Sequence, residues 1–149
     1  RLRKQKYDFT VAVCALVKDA EATLTEWIDY HLLGLEFETI YLYDNSDNFE
    51  LERWYNHTRS HPVYKRVKVH HMPGNLLKDR GEFVQNAAYS DCIRDYGKIK
   101  IGKDVNANTK DQHGRHDYFA LFDVDEFLVL QQYPANHSTI HDVLDTYLV

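Results

Sequence analysis

The feature that most constrains the fold is a rhythm in which dense apolar runs break off in polar, carboxylate-rich clusters and alternate with stretches of helical spacing. Residues 9–17 read Phe-Thr-Val-Ala-Val-Cys-Ala-Leu-Val, and near-continuous apolarity of that length suits a central strand covered on both faces. Leu24, Trp27, Ile28, Leu32 and Leu35 then trace one helical face over residues 22–33, with Thr23-x-x-Glu26 as a capping box and Gly34 as the stop. A second β-rich run, 39–43, ends in the turn-forming cluster Asp44-Asn45-Ser46-Asp47.

The alternation continues. Leu51, Trp54 and Tyr55 indicate a short helix, 66–71 a third strand closed by Met72-Pro73-Gly74, and Phe83, Val84, Ala87, Ala88 and Cys92 a helical face within 80–96. Residues 97–117 lack periodicity and read as an exposed connection. The buried run 118–122 leads into Asp123-Val124-Asp125-Glu126, and 127–130 reads as a short further strand. Ile140, Val143, Leu144, Tyr147 and Leu148 trace a helix to the last residue, which reads as truncation.

This order predicts an α/β fold with a mostly parallel sheet, right-handed crossovers and helices on both faces. No repeat or linker divides the chain, so residues 1–149 form a single domain. Ligands of such sheets bind beyond the carboxyl ends of the strands. The strand endings at Lys18-Asp19, Asp44-Asn45-Ser46 and Asp123-Val124-Asp125-Glu126 are therefore expected to share one crevice.

Composition narrows the partners. A net charge of −5 supplies no broad surface for neutralising nucleic-acid phosphates. The basic start Arg1-Leu2-Arg3-Lys4-Gln5-Lys6 reads as a solvated leader. No apolar run approaches the roughly 20 residues that span a bilayer, and with no initiating Met the sequence reads as an excerpt whose membrane anchor, if any, lies outside it. Cys14 and Cys92 lack metal-ligand spacing and are expected to be buried free thiols. Two sequons, Asn56-His57-Thr58 and Asn136-His137-Ser138, lean towards the secretory pathway.

The Asp123-Val124-Asp125 triplet draws its meaning from context, because 15 Asp in this chain give roughly 1.5 such triplets by chance. It stands where a buried strand emerges. In extended geometry the two carboxylates would lie roughly 6.5–7 Å apart on one side and repel by about 2.5 kcal/mol at an effective dielectric near 20. A hard divalent cation, Mn²⁺ or Mg²⁺, removes that repulsion and keeps positions for substrate phosphates. The bland alternative is a solvated acidic turn. Asp44 likewise reads as a base or ribose acceptor or as ordinary turn chemistry.

Other residues divide the same way. Arg80 reads as a phosphate fork or a surface cation, Gln85 as solvated, and Trp27 and Trp54 as core packing before sugar stacking. The nine His residues form no zincin pattern and are expected at surface or partly buried positions.

Four ordered blocks carry a family resemblance. They are Val13-Cys14-Ala15-Leu16-Val17-Lys18-Asp19-Ala20-Glu21; Glu26-Trp27-Ile28-Asp29-Tyr30-His31-Leu32-Leu33-Gly34; Tyr41-Leu42-Tyr43-Asp44-Asn45-Ser46; and Leu121-Phe122-Asp123-Val124-Asp125-Glu126-Phe127-Leu128. Together with a weaker block, Gln85-Asn86-Ala87-Ala88-Tyr89 with Cys92, they resemble glycosyltransferase family 92 and related family-2-like enzymes.

The resemblance implies a GT-A-type, Rossmann-like domain that uses a UDP-sugar donor, often UDP-galactose, and a glycan acceptor, with inversion at the anomeric carbon. It implies a Golgi lumenal location behind an N-terminal anchor, as in a type II membrane protein. It assigns Asp125 as principal Mn²⁺ or Mg²⁺ ligand, Asp123 to the ribose or metal, Asp44 with Asn45 to the nucleoside, and Lys18 and Asp19 to the entrance. The general base of such an enzyme normally follows the DxD segment, and only 24 residues follow Asp125. The catalytic base is therefore unknown and expected downstream, so this segment is expected to bind donor without transferring sugar.

Two other readings stay open. A DxD phosphohydrolase also carries carboxylates after an apolar strand, although its motif usually stands near the N-terminus. A noncatalytic carbohydrate- or nucleotide-binding module shares the fold requirement. A nicotinamide enzyme is disfavoured, because Lys18-Asp19-Ala20-Glu21 replaces the glycine-rich turn.

Overall fold

The computed structural model describes residues 7–18, 20–58, 60–74, 83–98, 116–130 and 137–148. Within them run β1 (Val11–Val17), α1 (Glu21–Asp29), a π-helical turn (Tyr30–Gly34), β2 (Thr39–Asp44), α2 (Leu51–Thr58), a 3₁₀ turn (Pro62–Arg66) and β3 (Val67–His71). They are followed by α3 (Val84–Tyr96), β4 (Tyr118–Asp123) and α4 (Ile140–Tyr147).

The four strands form one all-parallel sheet in the order β3-β2-β1-β4. The chain winds outward from β1 through β2 to β3, then crosses back to lay β4 on the other side of β1. The fold is thus α/β and Rossmann-like, as the sequence rhythm implies. β1 lies between two strands and under two layers of helices, which is why its seven residues are apolar and six of them are buried.

Alternate residues of the sheet feed two cores. Val11, Val13, Ala15 and Val17 face Leu24, Trp27 and Ile28 of α1, with Leu51 of α2 and Ile140 of α4 on the same side. Ala12 and Cys14, with Tyr41 and Tyr43 of β2, face Ala87, Ala88 and Cys92 of α3. Small residues on that face of α3 let its backbone approach the sheet closely. Gly97 ends the helix, and a Cβ there would stand 2.5 Å from the Ile93 carbonyl oxygen.

Several local expectations are corrected. Cys14 and Cys92 are not free thiols: both are fully buried and joined as a disulfide that ties β1 to α3. Helix α1 starts at Glu21, its N-cap is Ala20 without a side-chain cap, and Thr23-x-x-Glu26 therefore lies inside the helix. The capping box belongs instead to α4, where Thr139 and Asp142 bond reciprocally. Residues 127–130 are not a strand; they form a strap held by its carbonyls, with Trp27 Nε1 donating to Glu126 O at 2.7 Å and the Tyr30 hydroxyl donating to Leu128 O at 2.7 Å. Residues 80–82, including Arg80, and most of 97–117 lie outside the described residues.

Four histidines depart from expectation, since His31, His116, His137 and His141 are buried, whereas His57, His61, His70 and His71 are exposed or partly buried as expected. His31, in the π-helical turn, is ringed by Trp27, Tyr30, Phe37, Phe122 and Phe127. Its Nδ1 lies 2.8 Å from Trp27 O, while Nε2 is buried without a partner among the described residues. Burial lowers its pKa and keeps the ring neutral. Trp27, fully buried, takes the core role. Trp54 packs on Tyr64 and bonds Thr25. Among the described residues no helix is long and apolar enough to cross a membrane.

Candidate functional site

The two ends of the sheet differ in how their charges are used. At the amino end, Glu38 accepts from the Val11 amide at 2.6 Å and pairs with His141 at 2.6 Å, while Asp117 takes Lys98 at 2.7 Å and the Thr10 amide at 2.8 Å. These carboxylates close the base of the domain. At the carboxyl end, Lys18, Asp123, Asp125 and Glu126 are exposed. This is also where the winding reverses between β1 and β4, the position at which open α/β sheets receive ligands.

The register brings the expected strand ends together. Val17 pairs with Asp44, and Leu16 pairs with Asp123, so both aspartates flank the end of β1. Paired residues share a face and successive residues alternate, so the Asp44 and Asp123 side chains point to opposite faces of the sheet. Two strand spacings also put their backbones roughly 10 Å apart. One small ion cannot be held by both.

Asp44 already has a task. It is 1 % exposed, its Oδ1 accepts from the Ser46 amide and its Oδ2 from the Leu51 amide, each at 2.8 Å. Its carboxylate thereby satisfies the first turn of α2 and folds the loop before it. Asn45 is similarly engaged, with its Nδ2 donating to Met72 O at 2.9 Å and its amide to Val17 O at 2.9 Å. His71 Nε2 donates to Ser46 O at 2.8 Å, and its ring stacks on Phe49, whose φ of 50° is left-handed. Beyond this loop an open depression of about 560 Å³ is lined by Asn48, Phe49, Glu50, Glu52, Arg53 and Asn56.

The other carboxylates are freer. Asp123 Oδ1 accepts from Gln85 Nε2 at 2.8 Å and lies 3.4 Å from the Tyr89 hydroxyl. Gln85, expected to be solvated, and Tyr89 therefore position Asp123 from the first turns of α3. Their spacing of four along a helix, facing the end of β4, is the signal that marks them. Burial raises the Tyr89 pKa, and the neighbouring Asp123 carboxylate pushes the same way, so the phenol stays protonated and can donate.

After Asp123 the chain turns instead of continuing extended. The Glu126 amide donates to Asp123 O at 3.0 Å, the Asp123 amide donates to Glu126 Oε2 at 3.2 Å, and Val124 is buried in the core. The extended-strand separation expected for Asp123 and Asp125 does not apply to this turn. Asp125 projects into solvent and accepts no hydrogen bond among the described residues. No group of three or more His, Cys, Asp or Glu side chains could hold a metal among the described residues.

The donor chemistry suits an ion that keeps waters and takes substrate oxygens, because such ions need only one or two protein carboxylates. A fully protein-ligated cage does not fit. Lys18 adds a cation beside β1, and Asp19 lies outside the described residues. No protein-family model matches the chain, and neither the curated proteins nor the solved structures contain a match.

Proposed function

We propose that the domain binds the nucleotide-diphosphate part of a sugar donor for a metal-dependent glycosyltransferase, with a UDP-hexose such as UDP-galactose as donor and a glycan as acceptor. The observation that carries this reading is the exposed carboxylate tip, Asp123 to Asp125, at the point where the sheet order reverses. Asp123 and Asp125 are the ligands for Mn²⁺ or Mg²⁺. Bound there, the ion would neutralise charge on the leaving diphosphate.

The chain's own residues divide the remaining work. Gln85 and Tyr89 orient Asp123 through its Oδ1, which leaves Oδ2 for a ligand. Lys18 offers a charge to phosphate at the exposed end of β1. Asp44 acts through the loop it folds, and Asn45 ties that loop to β3. The general base is not assigned. A buried disulfide agrees with the oxidising secretory lumen in which a Golgi transferase would work.

Calorimetric titration with UDP tests the reading. Binding should require Mn²⁺ and disappear in Asp125→Asn. Equal UDP affinity with and without metal, in both proteins, would refute it in favour of a metal-free binding module. Phosphate trapped covalently on Asp123 after incubation with phosphate esters would instead establish the phosphohydrolase.

A further inference from the structure

We propose that Asn56 carries an N-linked glycan, an inference that stands apart from the transferase reading. Asn56-His57-Thr58 forms the last turn of α2, and Asn56 is exposed. The helix is oriented by its inner face: Leu51 is buried in the core, while Trp54 packs on Tyr64 and donates from Nε1 to Thr25 at 3.1 Å. Asn56 therefore faces outward with Glu52 and Arg53, and a bulky polar substituent on its amide displaces nothing from the core.

The disulfide is the independent second observation. Cys14 and Cys92 are both 0 % exposed, so their bond is part of the packed interior, and such bonds form in oxidising compartments. A chain that folds in an oxidising secretory lumen passes the enzyme that modifies Asn-x-Thr. In the folded domain the Thr58 hydroxyl donates to Trp54 O at 2.8 Å and the sequon is helical. Attachment consequently precedes the docking of α2, on extended chain.

The co-reactant is a polyprenyl-diphosphate-linked oligosaccharide. The Asn56 amide nitrogen forms a bond to the anomeric carbon, the bond from that carbon to the diphosphate oxygen breaks, and one amide proton is lost as the lipid diphosphate leaves. No electrons are exchanged.

The test uses the full-length protein made in cultured eukaryotic cells, with Asn136→Gln as background so that the second sequon is silent. Glycosidase release in heavy-oxygen water converts a glycosylated Asn56 into labelled aspartate, which peptide mass spectrometry locates. The expected result is labelled Asp at position 56 and a one-glycan mobility shift that is lost in Asn56→Gln and Thr58→Ala and kept in Thr58→Ser. Unlabelled Asn56, or a shift that survives Asn56→Gln, would overturn the proposal, and thiol titration showing Cys14 and Cys92 reduced in the mature protein would remove its premise.

Discussion

Removing the Cys14–Cys92 bond should cost a large share of the folding free energy. The bond closes a loop with a sequence separation of 78, for which the chain-entropy relation gives about 4.5 kcal/mol at 25 °C. Each buried sulfur replaced by Ala adds roughly 1 kcal/mol of lost packing. Domains of this size are stable by about 5–15 kcal/mol in total, so the cross-link decides whether the fold survives moderate denaturant. Urea unfolding of the oxidised wild type, Cys14→Ala, Cys92→Ala and the double variant separates the two contributions. Either single change already breaks the bond, so all three variants should fall close together, about 5.5 kcal/mol below wild type for each single change and about 6.5 kcal/mol for the double by the same relations. Two small single effects that add up to the double would show that the cross-link contributes nothing, and the reasoning would fail.

Three further outcomes are expected. Asp44→Ala leaves the Ser46 and Leu51 amides without their acceptor, which should destabilise the domain by about 3 kcal/mol or more in urea unfolding; a change below about 1 kcal/mol would contradict the capping role. Gln85→Ala should weaken Mn²⁺-dependent UDP binding several-fold while moving folding stability by less than about 0.5 kcal/mol, because Gln85 is exposed; unchanged affinity would remove its positioning role. Burial lowers the pKa values of His31, His70 and His116 below their ordinary 6.5, so unfolding takes up protons as the pH falls below 6.5. Their stabilising contribution is therefore complete above that pH and is lost on descent through the lower folded values, with a slope of at most about 1.4 kcal/mol per pH unit per histidine. A urea midpoint that stays flat or rises between about pH 7.5 and 5.5 would refute this assignment.

β1 and β2 were legible because burial leaves a nearly unbroken apolar run, and the parallel order followed from the intervening helical spacing. β4 is as apolar in sequence but lies at an edge of the described sheet, and the run expected to be buried at 118–122 is partly buried or exposed throughout, with Tyr118 and Leu121 exposed. The carboxyl-end clusters of the strands lie at one end of the sheet, since β1, β2 and β4 all point the same way, but the single crevice expected for them is divided, with Asp44 buried on one face and Asp123 exposed on the other. What the residues of one strand cannot reveal is the phase of its neighbour. The one-residue offset between Leu16↔Asp123 and Val17↔Asp44 sends the two carboxylates to opposite faces, and it is set by tertiary packing. The disulfide was missed for a related reason: its two cysteines are distant in sequence and meet only when α3 lies across β1. Gln85 read as solvated because its partner is supplied by a different element, and Tyr89 drew no role from the residues alone for the same reason.

The strap after β4 makes the rim of this domain open to diversification. Trp27 and Tyr30 grip residues 126 and 128 by main-chain oxygens, and a carbonyl is the same whatever side chain it accompanies. The side chain at Val129, which is exposed, can accordingly be exchanged without loosening either grip. Recognition at this edge is free to drift, or to be selected from a library, while the scaffold beneath it keeps its shape.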